Sequence, residues 1–273
     1  MDVSIIIPCF NSGEFLPEAI KSAELASKGF NTELIIVDDG STDQYSLNQL
    51  TRIEAQYNHV VLHRFNGGPA AARNTGVQVS SGKYLLFLDS DNKLRPEFLS
   101  STLPALESNP KAGVVYGNAA FFGELPGRKS FVSRAFDKYE LLVDNYIDVC
   151  SLVRRETFEQ AGGFDENRLI IGYEDWEFWI RVSATSWNFV YMPKILFDYR
   201  LRKSSVITDA STDENYKNVL SYVCGKNAAV FHERFTELYH EKLFYLHDKQ
   251  KPFRSYVKFL KEKYISGSKN QIR

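Results

Sequence analysis

Cysteine is scarce. Only Cys9, Cys150 and Cys224 occur in 273 residues, far apart and with no C-x-x-C pair. That usage disfavours a zinc site or a disulfide framework and fits a reducing compartment such as the cytosol. No apolar run reaches the roughly 18 residues needed to span a bilayer. Met1-Asp2 leads straight into an apolar strand pattern, with no basic region before it and no cleavage site after it, so no secretory signal is expected. An excess of charge is missing too: the formal net charge is −1, which gives no reason to expect a nucleic-acid partner. The glycine-rich phosphate loops are also absent. Pro8-Cys9-Phe10-Asn11-Ser12-Gly13 follows the first strand, where neither G-x-G-x-x-G nor G-x-x-x-x-G-K-[ST] can be written. A dinucleotide-dependent dehydrogenase and a P-loop NTPase are therefore disfavoured.

What is present is ordinary globular composition, 44% hydrophobic and 25% charged. Val3–Ile7, Glu33–Val37, Val60–His63 and Tyr84–Leu88 read as buried strands. Between them Glu14–Ser27, a stretch through Leu47 and Ile53, and Ala70–Val79 carry helical spacing, and Pro96–Glu107 follows. Strand–helix alternation with short loops predicts crossover units and a mostly parallel sheet flanked by helices. The rhythm loosens after Phe122. Asp137–Val143 and Glu174–Ala184 read as helices, Ser151–Arg154, Asn188–Tyr191 and Ile195–Arg200 as strands, and Gly113–Tyr116 as a strand with Asn118 beyond its end. From about Asp213 onward the pattern is helical. The expected organisation is an α/β domain over residues 1–210 and a C-terminal helical appendage over 211–273.

Ligands of open parallel sheets bind outside the carboxyl ends of the strands. Two acidic clusters stand there: Asp38-Asp39-Gly40-Ser41-Thr42-Asp43 after the second strand and Asp89-Ser90-Asp91-Asn92 after the fourth. Asp43 sits where a helix cap would. Asp89 and Asp91, one residue apart, offer hard oxygen donors suited to Mg²⁺ or Mn²⁺ sharing a substrate phosphate.

Several motifs in order carry a resemblance: Ser4-Ile5-Ile6-Ile7-Pro8-Cys9-Phe10-Asn11, the Asp38–Asp43 cluster, Gly68-Pro69-Ala70-Ala71-Ala72-Arg73-Asn74-Thr75-Gly76, Phe87-Leu88-Asp89-Ser90-Asp91, Gly162-Gly163-Phe164-Asp165 and Glu174-Asp175. Over about residues 1–205 the chain resembles family 2 glycosyltransferases of the GT-A fold. The resemblance implies a nucleotide-sugar donor, UDP-linked, and inversion at the anomeric carbon. It implies that Asp39 meets the uracil edge, that Pro8 and Phe10 pack around the base, and that Arg73 faces the nucleotide or diphosphate. It makes Asp89-Ser90-Asp91 the D-x-D signature, with Asp91 the direct metal ligand and Asp89 reaching the ribose or a metal-bound water. Asp175 matches the general base. In one place the chain departs from many relatives: Arg202 stands where a metal-ligating histidine often follows the final Tyr-Arg pair. An arginine cannot ligate a metal but pairs with phosphate oxygens.

Aromatic and polar residues complete the candidates. Trp176 and Trp179 read as core residues or as sugar platforms, Trp176, beside Asp175, being the better candidate platform for an acceptor sugar, and Asn118 is a further candidate acceptor contact. His59 and His63 flank a strand without a third ligand and read as surface residues. The function expected is hexosyl transfer to a glycan or lipid-linked acceptor in polysaccharide biosynthesis, with Mn²⁺ or Mg²⁺ as cofactor. The rivals are a nucleotidyltransferase, which lacks a glycine-rich basic loop here, and an inactive nucleotide- or glycan-binding scaffold. Residues 249–273 hold eight Lys or Arg against Glu262 alone, a local charge of +7. Phe253, Tyr256, Val257, Leu260 and Tyr264 form one apolar stripe in it. A basic amphipathic helix of this kind suits peripheral contact with the inner face of a membrane, on an otherwise cytoplasmic protein.

Overall fold

In the computed structural model, which describes residues 1–56, 59–125, 131–202, 213–250 and 256–257, the apolar run Val3–Cys9 forms β1 with every residue buried. Burial on both faces is what a continuous β-branched run requires. Helices α1 (Leu16–Ala26), α2 (Gln44–Gln56) and α3 (Pro69–Val79) alternate with β2 (Thr32–Asp38), β3 (Val60–His63) and β4 (Tyr84–Phe87). β1 pairs in parallel with β2 and β4, and β2 with β3. The expected crossover units are all present, with boundaries within two residues of the sequence pattern.

The second half changes direction. After β5 (Lys93–Leu94), α4 (Phe98–Ser108), β6 (Ala112–Gly123) and α5 (Lys138–Leu141), strand β7 (Leu152–Arg154) enters antiparallel to β4. Helices α6 (Arg155–Ala161) and α7 (Glu174–Ser183) and strand β8 (Asn188–Leu201) follow. β6 runs antiparallel to β7 and parallel to β8, giving the sheet order β3-β2-β1-β4-β7-β6-β8-β5. The architecture is the mixed α/β sheet flanked by helices that the sequence implies.

Three local differences have physical causes. The Asn188–Tyr191 and Ile195–Arg200 segments are one strand, because register shifts at Gly117/Asn118 and Asn118/Ala119 absorb Pro193, Lys194 and Leu196 opposite. β6 runs on to Gly123, so Asn118 lies inside a strand and not past its end. Helix α6 follows β7 with no intervening loop, Arg154 ending the strand and Arg155 beginning the helix, so no turn residue announces it.

The chain divides into two compact units, Met1–Lys226 and Asn227–Arg273. The division falls after Lys226 and not near residue 210. Helix α8 (Asp213–Lys226) stays with the first unit, where the Tyr222 hydroxyl and the Lys226 ammonium both bond Asp165. In the second unit, α9 (Ala228–Gln250) is the described element. Among the described residues no helix is long and apolar enough to cross a membrane. The basic stretch expected around Phe253, Leu260 and Tyr264 lies outside the described residues.

Helix α3 lies close on β1. A Cβ on Gly76 would stand 2.5 Å from Ile6 Cγ2 and 3.3 Å from Val37 Cγ2. Alanine would gain up to about 1 kcal/mol of helix propensity there. Overpacking against a β-branched core side chain costs about 1–3 kcal/mol. Steric overlap of this size decides the sign, so Gly76→Ala should lower stability by about 1–2 kcal/mol in urea unfolding.

Candidate active site

The topology brings six chain segments to one edge. β1, β2 and β4 end there with Cys9, Asp38 and Phe87, delivering Phe10, Asp39 and Asp89-Ser90-Asp91. β7 runs the other way, so the residues before it, Asp148 and Val149, arrive at the same edge. β8 ends there with Tyr199, Arg200 and Leu201, followed by Arg202. Helix α7 opens toward it with Glu174 and Asp175. A cavity of about 410 Å³ results, lined by Pro8, Phe10, Asp39, Arg73, Asp89, Ser90, Asp91, Asp175 and Arg202 among others. Every donor-side residue expected from the sequence, and the expected base, faces this one space.

Asp39 is held by backbone. Its carboxylate accepts from the Gly67 N–H at 3.0 Å and the Gly68 N–H at 2.7 Å, with Arg64 Nη1 at 3.4 Å. Gly68 sits at φ 93°, a conformation that favours glycine, and this turns its N–H toward Asp39 just before Pro69 starts α3. Phe10 is 46% exposed at the cavity mouth. Asp43 caps α2 as expected, its Oδ1 accepting from the Ser46 N–H at 2.8 Å. His63 is bracketed by Asp38 and Glu54, and His59 bonds Glu24, so the two histidines do not form a ligand pair.

Arg73 is the buried centre of the site, 3% exposed. Its Nη1 donates to Glu174 Oε1 and its Nη2 to Asp89 Oδ1, both at 2.7 Å. Glu174 Oε2 in turn accepts from the Gly172 N–H at 2.6 Å. The terminal nitrogens expected to face a diphosphate are thus engaged by two carboxylates. Arg73 touches the cavity wall, but its fork ties α3, the Asp89 loop and the start of α7 together. Arg200 fixes Asp91 differently: its Nε donates to the Asp91 carbonyl at 2.9 Å. Arg202 Nη1 lies 3.7 Å from Asp91 Oδ2.

A second cavity of about 250 Å³ adjoins the first, and Asp148, Gly172, Asp175 and Tyr199 line both. Trp176 lines the second cavity while almost wholly buried. The indole is 2% exposed and its N–H donates to the Leu141 carbonyl at 2.6 Å, so it supports the cavity and offers no open face. Asn118 faces neither cavity; it accepts from the Tyr191 hydroxyl at 2.9 Å. Asp148, Arg168, Tyr199 and Tyr216 line these spaces without having been singled out by motif. For Asp148 the signal would have been an antiparallel strand after β4, which local periodicity does not reveal.

The acids are crowded. Burial first, and then the Asp89 charge, push Asp91 up to about 6, against the pull of Arg202. Burial, then Glu174, push Asp175 up to about 7, with Arg73, the Trp176 N–H and Asn145 opposing. Asp148 is raised as well, by burial and then by Asp89 and Asp175. Among the described residues no three His, Cys, Asp or Glu side chains gather as a metal cage.

Residues 4–162 match the profile of Glycosyl transferase family 2. The glycosyltransferase GlyA of Streptococcus pneumoniae serotype 4 is 27% identical over 75% of this chain and 31% of its own length. GlyG of the same organism is 37% identical over 47% of this chain and 42% of its own. The chain therefore spans less than half of either relative. Residues 1–349 of S. aureus TarS, in complex with UDP-GlcNAc, superimpose with a TM-score of 0.67 at 21% identity, covering 84% of this chain and 66% of that one. The mannosyltransferase PcManGT from Pyrobaculum calidifontis, in complex with GDP-Man and Mn²⁺, gives 0.56 at 16%, over 94% of this chain and 83% of that one. At these identities the likeness is one of fold, a GT-A sheet.

Crowding has a stability consequence. Asp91 and Asp175 hold protons in the native state at pH values where the unfolded chain has released them. Stability should therefore fall as pH rises from about 4 to about 7, the window between the ordinary carboxylate value and the raised ones. Asp175→Asn and Asp91→Asn should each raise stability at pH 7.5, on the order of 1–3 kcal/mol, and by less at pH 5. Urea unfolding at the two pH values measures both signs.

Proposed function

The chain belongs to glycosyl transferase family 2, and from that premise we propose that it moves a sugar from a UDP-linked donor to a hydroxyl of a glycan or lipid-linked acceptor, with inversion at the anomeric carbon. The observation that carries this reading is the place of Asp175, in the wall shared by two adjoining cavities. A single displacement needs a proton acceptor at such a junction, between the bond that breaks and the bond that forms.

The larger cavity suits the donor. Asp39, oriented by the Gly67 and Gly68 amides, keeps lone pairs for the uracil imide, and Pro8 and Phe10 flank the base. A diphosphate would then lie toward Asp91, where Arg202 adds positive charge. In this reading Arg73 acts as a positioning residue and not as a phosphate contact, since its terminal nitrogens already serve Asp89 and Glu174.

The donor set fits a hard divalent cation. Asp91 is a carboxylate whose charge the surrounding residues under-compensate, and Asp89 stands beside it. Mg²⁺ and Mn²⁺ take one or two carboxylates, substrate phosphate and water, so the lack of a third protein ligand is no obstacle. Asp91, with Asp89 behind it, would hold the ion, which supplies Lewis-acid stabilisation of the charge that grows on the departing diphosphate. Asp175 takes the proton of the acceptor hydroxyl as its oxygen bonds the anomeric carbon and UDP leaves with the electron pair. A carboxyl raised to about 7 is matched to that task near neutral pH. The +7 charge of residues 249–273 supports a peripheral contact with an anionic membrane, where a lipid-linked acceptor would stand.

UDP release from UDP-sugars, with water as acceptor, tests the reading. It should require Mn²⁺ or Mg²⁺ and cease in excess chelator. Its kcat/KM should rise with pH through a limb near 7 as Asp175 loses its proton. Asp175→Asn should lower turnover by roughly 10²-fold with little change in donor affinity. Full turnover in chelator, or a variant that loses donor binding but keeps its rate, would contradict the assignment.

A further inference from the structure

The two cavities differ in the charge of their walls. Arg73, Arg168, Arg200 and Arg202 face the larger one. Among the described residues no Lys or Arg faces the smaller one, whose ionisable acids are Asp144, Asp148 and Asp175. Arg134 is close to Asp144 but lies outside that wall, bonding Asp144 Oδ2 at 3.2 Å and Glu140 Oε2 at 2.6 Å. Much of the remaining wall is aromatic, from Phe131, Tyr173, Trp176, Tyr199 and Tyr216. Tyr173 and Tyr216 stand with ring centroids 5.9 Å apart, and Tyr216 is 37% exposed. Tyr216 comes from α8, which Tyr222 and Lys226 fasten to Asp165, so its ring belongs to an anchored helix.

This chemistry selects a ligand class. Aromatic faces carry negative potential and attract the C–H bonds of a sugar ring. Carboxylates and Asn145 take hydroxyl hydrogen bonds. A phosphate or carboxylate on the ligand would find no Lys or Arg on this wall to balance it and would sit against buried carboxyl groups, a costly place for an unpaired anion. The volume, about 250 Å³, lies below the roughly 300–1,000 Å³ of drug-sized ligand pockets and suits one ring.

We infer that the smaller cavity binds one uncharged hexopyranose as the acceptor residue, stacked by Tyr216 and Tyr173, and that it discriminates against acceptors carrying phosphate on that ring. The inference rests on the glycosyltransferase reading above and adds the acceptor's chemical class. The division of charge gives each substrate its own cavity: the arginine-lined one for the anionic donor, the acid and aromatic one for a neutral acceptor. Asp148, in both walls, is placed to accept from hydroxyls of either sugar.

The test is ligand-observed NMR titration of the full chain with methyl glycosides of glucose, galactose, mannose and N-acetylglucosamine, against the corresponding sugar 6-phosphates. UDP and Mn²⁺ are kept saturating, so that the arginine-lined cavity is closed to the phosphates. At least one methyl glycoside should bind ten-fold or more tightly than every 6-phosphate. Tyr216→Ala should weaken that glycoside at least five-fold, with UDP binding as the folding control. Asp144→Lys, an exposed change that also releases Arg134, should shrink the preference over the phosphate at least five-fold. Phosphates that bind as well as the glycosides, no glycoside binding, or a Tyr216→Ala variant with unchanged glycoside affinity would each overturn the acceptor class while leaving the donor reading intact. Failure of the wild-type chain to bind UDP would overturn the donor reading and this inference with it.

Discussion

The Arg73 guanidinium, buried between Asp89 and Glu174, is the constraint on which the site depends. It joins three elements that are distant in sequence: α3, the loop after β4 and the first turn of α7. Asp89 precedes Asp91 by two residues and Glu174 precedes Asp175 by one. The same fork therefore sets the place of the proposed cation ligand and of the proposed base. A buried ion pair is weak evidence for net stability, because desolvation offsets most of the attraction. Removing one partner is different: it strands a buried charge and typically costs about 3–5 kcal/mol. The bridge is thus better understood as a device of geometry, holding two carboxylates close together that would otherwise repel.

The sheet supplies the rest of that geometry. Four parallel strands deliver donor-side residues from their carboxyl ends, and the reversal at β7 brings Asp148 to the same edge from the opposite direction. Burial, and after it the concentration of acids, raises Asp91, Asp148 and Asp175 together. In an ordinary core such crowding would be a defect. At the junction of two cavities it leaves Asp175 poised near neutrality and Asp91, the proposed cation ligand, raised beside it. Such burial is expected to lower stability at the place where the proposed chemistry needs unbalanced charge.

Much of this was legible in the chain because strand ends are local features. An apolar run followed by an acidic cluster marks both the strand and its carboxyl end, which is why the positions of Asp39, Asp89 and Asp91 at strand ends are legible in the sequence. Glu174-Asp175 was legible as the opening of a helix. The failures share a different cause: they depend on pairing. Asn118 read as a residue past a strand end, but β8 holds β6 in register to Gly123. Trp176 read as a sugar platform, but α5 offers a carbonyl that turns its indole inward. Arg73 lines the cavity, as a residue expected to face the nucleotide or diphosphate would, and only the tertiary arrival of Glu174 beside Asp89 shows that its fork also ties these elements together. Tyr216 and Asp148 carry no local motif at all. Their places follow from which strand runs antiparallel and which helix packs on Asp165.

The claim at the centre of the account is that the larger cavity holds a uridine diphosphate, its base read by Asp39. Calorimetric titration of UDP and GDP into the chain, with Mn²⁺ present, addresses it most directly. UDP should bind at least ten-fold more tightly than GDP. Asp39→Ala should remove most of that difference, since a hydrogen bond to a charged group is worth about 1.5–3 kcal/mol. Equal affinity for the two nucleotides, unchanged by the substitution, would contradict it.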